Sequence, residues 1–382
     1  MKRTIIATFA LLFCASAASA QDAGMGWSSS DIAVLQRWVA AAPADALPVI
    51  PTASLDRAVE ARDRERIEDE ATILALRLAR MHLLGNAGTS ERAGWNIVDS
   101  DRDIALEPML AQAVANDTLD TFFALLRPAD DEYAILRAAY ATENDADRRA
   151  AIGRNMERWR WMPRSLGDDY VLVNAARFEA YLWRGGEKAG TWRVIVGKKS
   201  TPTPVFDTAI TGVIFNPWWN VPASIVRESV GALVRNNPAA ARARGYVWGG
   251  GSYRQRPGPN NALGQMKLVM PNRFTVYMHD TPNKNLFEEE VRAYSHGCIR
   301  TGDAIGYAAT LLEGVKTRAE VDAIVASGET TTVELARPIP IYIAYFTAVG
   351  DGEGVVLVLD DIYNRDLRIR LAAIDWETEC SA

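Results

Sequence analysis

Apolar positions follow two different periods along the 382-residue chain. From Gln21 to about Leu166 they recur at helical spacing. Leu119, Phe122, Phe123 and Leu126 fall at i, i+3, i+4 and i+7, and Ile152, Met156 and Trp159 at i, i+4 and i+7 behind the capping residue Asp145. Such stripes are core faces. Arg62, Arg64 and Arg66 with Glu65, Glu68 and Glu70 read as the solvated, mixed-charge face of one long helix. His82 lies in the same region with no second ligand at helical spacing, so it is read as structural.

At Asp168 the pattern becomes strand-like. Tyr170 to Asn174, Phe178 to Trp183 and Trp192 to Val196 are rich in β-branched and aromatic residues, with a hairpin loop marked by Arg184-Gly185-Gly186 and Ala189-Gly190. Further strands are predicted at Ile210 to Phe215, Phe274 to His279, Pro338 to Phe346 and Val355 to Leu359, and helices at Asp303 to Glu313 and Arg318 to Ala326. The class is α+β: a helical scaffold over 21–167, a mostly β domain over 168–335, and C-terminal strands and tail over 336–382. The least regular stretch runs from Val221 to Asn261, with Pro222, Asn237-Pro238, Gly249-Gly250-Gly251 and Pro257-Gly258-Pro259. Long insertions of this kind serve as lids or binding loops, or are plain surface excursions. Its glycines lack the Lys-Ser/Thr of a phosphate-binding loop.

Composition narrows the class further. With 48% hydrophobic and 24% charged residues the chain is an ordinary globular protein, and a formal charge of -6 gives no reason to expect a nucleic-acid partner. Lys2 and Arg3, the apolar run Ile5 to Phe13 and the small residues ending Ala18-Ser19-Ala20 read as a signal peptide over 1–20, cleaved after Ala20. The apolar run is shorter than the ~20 residues that span a bilayer, and bulky Phe13 before Cys14 argues against a lipoprotein. The expectation is an exported protein, not inserted in the membrane after cleavage, in an oxidising compartment.

Cys298 and Cys380 remain after cleavage, and a disulfide between them is one reading. A free, functional Cys298 is favoured, because Cys380 is third from the C-terminus and Cys298 follows a histidine in Ser295-His296-Gly297-Cys298-Ile299-Arg300. Strand alternation over Phe274 to Asp280 puts Thr275, Tyr277 and His279 on one side and Phe274, Val276 and Met278 on the other. Three chemistries compete for His279, His296 and Cys298. A zinc site is disfavoured by the His-x-Cys spacing, an inert fold would keep these side chains as core, and nucleophilic thiol catalysis fits best. A neighbouring imidazolium raises the thiolate fraction, and Gly297 lets the backbone turn so that amides beside Cys298 point at a developing oxyanion.

His279-Asp280-Thr281-Pro282-Asn283-Lys284 followed by Ser295-His296-Gly297-Cys298-Ile299-Arg300 resembles the signature of the L,D-transpeptidase (YkuD-like) catalytic domain, in the larger YcbB-like form of Gram-negative bacteria. Asn155-Met156-Glu157-Arg158-Trp159-Arg160-Trp161, Val196-Gly197, Thr203-Pro204, Asn216 to Pro222 and Asp361-Ile362-Tyr363 extend the resemblance over about Ala150 to Asp366. It implies a β-sandwich-like catalytic domain with Val221 to Asn261 as a substrate-capping insertion. It also implies a periplasmic enzyme without cofactor or metal that makes 3-to-3 cross-links between peptidoglycan stems, through a Cys298 thioester and with release of D-alanine. By the same resemblance His279 moves the proton, although His296 is nearer Cys298 along the chain. His296 then supports the oxyanion or the donor, Gly297 shapes the turn, and Tyr277, Trp219, Asn220, Ser295 and Arg300 contact substrate. Tetrapeptide stems are the expected partners and carbapenems the expected covalent inhibitors, while no protein partner is implied. An L,D-carboxypeptidase or endopeptidase shares these residues, and an inert wall-binding protein is opposed by the intact Cys and His. The family often inserts a peptidoglycan-binding module in the scaffold. Only about seventeen residues separate Tyr133-Ala134-Ile135-Leu136-Arg137 from Asn155 here, so none is expected.

Overall fold

The computed structural model describes residues 24–371. Cys14, the leader-like segment and Cys380 lie outside them. No helix among the described residues is long and apolar enough to cross a membrane.

The N-terminal half is helical. Ser29–Ala41, Ala53–Ala61, Arg64–Leu84, Leu106–Ala115 and Leu119–Leu125 pack around one core that includes Trp38, Leu78, Leu110 and Phe123. Of the charged run at 62–70, Arg64 to Glu70 lie on the long helix Arg64–Leu84, while Arg62 caps the end of the helix before it. Arg62 adopts a left-handed conformation (φ 57°) that ends that earlier helix, and the Asp63 side chain caps the long one by accepting from the Arg66 amide at 3.2 Å. Periodicity alone could not register that break. His82 is fully buried with its ring edge-on to Trp38 at 5.6 Å, as a core residue.

Two more helices, Asp131–Thr142 and Ala146–Trp159, follow with a short connection, and no further module stands between them. Their apolar faces join the core of the β domain instead: Tyr133, Leu136, Ile152, Met156 and Trp159 are buried in it, and Trp159 stacks on Phe346 at 4.7 Å. The packing boundary thus lies earlier than the change of periodicity at Asp168. Buried polar side chains of the 155–161 block lock the join. Glu157 accepts from the amides of Asn86 and Ala87 at 2.7 and 2.8 Å and pairs with Arg160 at 3.0 Å. Asn155 exchanges hydrogen bonds with Thr347, and Arg158 pairs with Asp366 at 2.6 Å.

The main sheet has ten strands, the short edge pieces Trp95–Asn96 and Ala293–Ser295 and eight others: β1 (Tyr170–Asn174), β2 (Glu179–Arg184), β3 (Glu187–Gly197), β4 (Val205–Phe215), β5 (Met266–Val269), β6 (Met278–His279), β7 (Ile299–Thr301) and β8 (Thr331–Ala344). The eight labelled strands pair in the order β4-β8-β1-β2-β3-β7-β6-β5, and β5 returns to pair with β4, so the sheet closes on itself. One face carries Val171, Val173, Leu182, Val194, Leu268, Met278, Ile299 and Ile341, all buried in the main core. The helix Ala304–Leu311, capped by Asp303, packs there, with the Tyr307 hydroxyl reaching the Met278 sulfur at 3.9 Å. The alternate positions of β5, β6 and β7 face the other way.

Two expectations change. The strand predicted over Phe274 to His279 is confined to Met278–His279. The Asn272 side chain accepts from the amides of Phe274 and Val276 at 3.1 and 3.2 Å, and Thr275 has φ 54°, which holds this stretch in a turn. Val221 to Asn261 is regular: it contains a helical run from Ala223 to Asn236, the helix Pro238–Ala243 and a hairpin of Tyr246–Gly249 with Ser252–Gln255. Trp219, Val221, Val230 and Leu263 give this insertion a small core, and Tyr277 packs against it.

Candidate active site

Cys298 precedes β7, and β7 runs parallel to β6 with Met278 opposite Ile299 and His279 opposite Arg300. Since Met278 and Ile299 turn to the core, Tyr277, His279, Cys298 and Arg300 share the opposite face. The alternation predicted for Tyr277 and His279 holds even though the strand is short. The register then runs on: Arg300 faces Ile195 of β3, and His279 faces Lys267 of β5. Arg300, His279 and Lys267 therefore form one row across three strands.

Cys298 is a free, half-buried thiol. Burial pushes its pKa up, opposed by a hydrogen bond from the Tyr277 backbone, by Lys267, by the Tyr277 hydroxyl and by Arg300. Tyr277 also meets Trp219 of the insertion, and the Lys267 ammonium sits 3.9 Å from the Tyr277 ring centroid. His279 is 6% exposed, and its Nδ1 lies 2.5 Å from the Asp280 carbonyl oxygen. A carbonyl only accepts, so Nδ1 carries the proton and Nε2 is left with a free lone pair. Burial, then the Arg300 and Lys267 charges, push the imidazole down to about 3. The resting pair is a neutral imidazole and a thiol, which corrects the expected imidazolium beside a thiolate. Two fixed cations replace it as the source of positive field.

The loop carrying Cys298 is braced from below. The Ser295 hydroxyl donates to the Cys298 carbonyl at 2.5 Å and accepts from the Gly297 amide at 3.1 Å. Thr203 donates to the Gly297 carbonyl and accepts from the Gly197 amide, both at 2.9 Å, and the Tyr363 hydroxyl donates to the Gly197 carbonyl at 2.5 Å. Gly297 has φ +108°, open only to glycine, and a Cβ on Gly197 would lie 2.1 Å from the Thr201 carbonyl oxygen. The blocks at 196–197, 203–204 and 361–363 therefore act together as a support for the nucleophile. Ser295, 2% exposed, belongs to that support instead of the cleft wall expected of it, and the Gly297 amide is occupied by it. Asp280, paired with Lys284 and accepting from the Gln265 amide at 2.9 Å, anchors the chain after His279.

His296 is not with His279. Its exposed ring turns to the insertion, where Nε2 meets Glu228 Oε2 at 2.7 Å, with Lys198 Nζ 3.4 Å away. Among the described residues no three His, Cys, Asp or Glu side chains are arranged to hold a metal ion. Trp219 is buried against Tyr277 and Asn220 is exposed on the strand facing Arg254. Lys267 and Glu228 escaped sequence reasoning. For Lys267 the available signal was a lone lysine in the apolar run Met266-Lys267-Leu268-Val269.

Residues 168–325 match the family model described as the L,D-transpeptidase catalytic domain (YkuD). This part of the chain is similar to the YkuD-type L,D-transpeptidase catalytic domain, and the match covers less than half of the chain. A Haemophilus influenzae protein named "Putative L,D-transpeptidase" is 31% identical over 228 residues, which are 54% of this chain and 46% of that relative. The chain thus aligns with less than half of its relative's length. Among solved structures, a mutant of the Enterococcus faecium L,D-transpeptidase is 12% identical over 47% of this chain and 50% of its own, with a TM-score of 0.24. The Mycobacterium tuberculosis L,D-transpeptidase 3 in complex with a faropenem-derived adduct is 13% identical over 46% and 60%, with a TM-score of 0.25.

Burial of neutral histidines gives the β domain and its helical scaffold an acid limb. His82 and His279 are both pushed by burial from about 6.5 down to about 3. Between those values the unfolded chain binds more protons, so stability falls as pH falls through that window and is fully present above it. Each histidine contributes up to about tenfold in the folding constant per pH unit there. Urea unfolding at pH 7 and pH 5 should show His82→Gln with a smaller loss on acidification than the parent. An equal loss would mean that His82 titrates alike in both states.

Proposed function

We propose that the protein is an exported peptidoglycan L,D-transpeptidase of the YcbB-like form, making 3-to-3 cross-links in the periplasm. The observation that carries this reading is that Cys298 and His279 share one face of paired strands, Cys298 across from Tyr277 and His279 across from Arg300, with the loop of Cys298 braced by hydrogen bonds. The leader-like segment supports export, and the 155–161 block and the capping insertion support the subfamily.

In the acylation step the Cys298 sulfur attacks the carbonyl carbon between the third residue of a donor tetrapeptide, diaminopimelate, and its terminal D-alanine. The thiol proton passes to His279 Nε2 and the carbonyl electrons to an oxyanion. With the Gly297 amide bound to Ser295, the Cys298 amide is the local donor for that oxyanion. The carbon–nitrogen bond then breaks, His279 returns its proton to the leaving amine, and D-alanine departs from a thioester. The side-chain amine of diaminopimelate on a second stem attacks the thioester and loses its proton to His279. The cysteine sulfur leaves and recovers that proton. His279 suits both directions because it is neutral at rest, and Lys267 and Arg300 favour the sulfur's negative charge as it forms.

His296 acts at one remove, through its contact with Glu228 of the capping insertion. Acylation of Cys298 by carbapenems follows from the same chemistry.

Purified protein given disaccharide-tetrapeptide should release D-alanine and form 3-to-3 linked dimers, both read by mass spectrometry. Tripeptide and D-alanine without dimer, at high acceptor concentration, would replace the transferase with a carboxypeptidase, in which water takes the acyl group.

A further inference from the structure

Lys267 and Arg300 are cations without a counter-ion. Both are partly buried, and among the described residues neither has a carboxylate within salt-bridge distance or a side-chain hydrogen bond to an acceptor. Some other partly buried guanidinium groups are matched by carboxylates, as Arg127 is by Asp45 at 2.6 Å, and others by backbone carbonyls, as Arg292 is by Phe178 and Arg365 by Thr203, whereas Arg254 lies over the Trp218 ring. Lys267 has only the Tyr277 ring, and it and Arg300 meet the polarisable but uncharged thiol. Leaving two cations half-desolvated and unpaired costs stability, in a chain whose formal charge is -6 and which has acids to spare. Their places are fixed by strand register on either side of His279, so their Cα atoms stand about 10 Å apart, two strand spacings, astride the reacting groups.

We propose that Lys267 and Arg300 form a two-pronged carboxylate-binding site around Cys298, which selects acyl donors with free carboxylates next to the scissile carbonyl over the same donors amidated. Substrate supplies the missing counter-charge. The inference deepens the transpeptidase reading, from which it takes the identity of the donor. The anion preference of Cys298 itself does not depend on that reading.

The test separates the two. Cys298 of the full chain is alkylated with iodoacetate, which is anionic, and with iodoacetamide, which is neutral. In each case the sulfur–carbon bond forms, iodide leaves and the thiol proton is lost to His279 or solvent. A change in thiol pKa alters both rates together and cancels in their ratio. The parent should favour iodoacetate, Lys267→Met and Arg300→Met should each lower the ratio about fivefold, and added salt should lower it in the parent. Lys267→Arg should restore it, which a fold-disrupting substitution would not. A ratio unchanged in both methionine variants overturns the site.

The second arm compares disaccharide-tetrapeptide with the same molecule amidated at the terminal D-alanine carboxylate, the one next to the scissile bond. The parent should acylate faster with the free acid, and Lys267→Met should lose most of that preference. Equal acylation of the parent by both donors overturns the selectivity. If the alkylation ratio behaves as described and neither donor acylates Cys298, the anion site stands and the transpeptidase reading fails.

Discussion

Cys298→Ala should abolish both acylation and turnover while leaving the thermal midpoint close to that of the parent. The reason is a division of labour in the loop. Its shape is held by the Ser295 hydroxyl on the Cys298 carbonyl, by Thr203 on the Gly297 carbonyl and by Tyr363 on Gly197, none of which involves the sulfur. Removing one half-buried sulfur leaves the loop's backbone contacts in place, so the structural cost is on the order of 1 kcal/mol. The chemical cost is complete, because no other described cysteine exists to form the thioester. Residual cross-linking by the purified variant, or collapse of its unfolding transition, would show that the thiol has been given the wrong role.

His279→Ala should lower kcat by about 10²- to 10⁴-fold, the range that a positioned acid–base group supplies. His296→Ala should cost less than about tenfold and show mainly in KM, since His296 meets Glu228 of the insertion and not the reacting atoms. The two variants are also separable without substrate turnover. In His279→Ala the Lys267 and Arg300 charges remain, so alkylation by iodoacetate should persist while acyl transfer is lost. A larger kcat effect at His296 than at His279 would reverse the assignment.

The N-terminal helices and most strands of the β domain were readable because each is coded locally, by apolar period and by caps such as Asp145 and Asp303. What misled was also local, but finer than periodicity: the left-handed Arg62 that stands outside the long helix predicted to carry it, and the Asn272 side chain that claims the amides of a predicted strand. The regularity of the insertion was hidden by its glycines and prolines, of which Pro222 and Pro238 stand at helix starts, Gly249 to Gly251 at the hairpin turn and Pro257 to Pro259 in the loop that follows. Cys298 and His279 were legible from their motif.

The electrostatics of the pair were not legible, because they depend on how β5 pairs with β6. That antiparallel register brings Lys267 opposite His279, twelve positions away in the chain. Likewise Ser295 and Gly297 sit beside Cys298 in sequence, and only hydrogen-bond geometry shows that each has its hydroxyl or amide already engaged.

Cys298, with His279 as its base, is expected to open the bond to the terminal D-alanine and to keep the acyl group. Intact-mass spectrometry of the full chain after brief mixing with disaccharide-tetrapeptide measures this directly. The expected spectrum shows one adduct per chain, equal to the donor less one D-alanine, mapped to Cys298 by peptide analysis and missing in Cys298→Ala. An unmodified chain while D-alanine is being released, or an adduct on any other residue, would contradict the account.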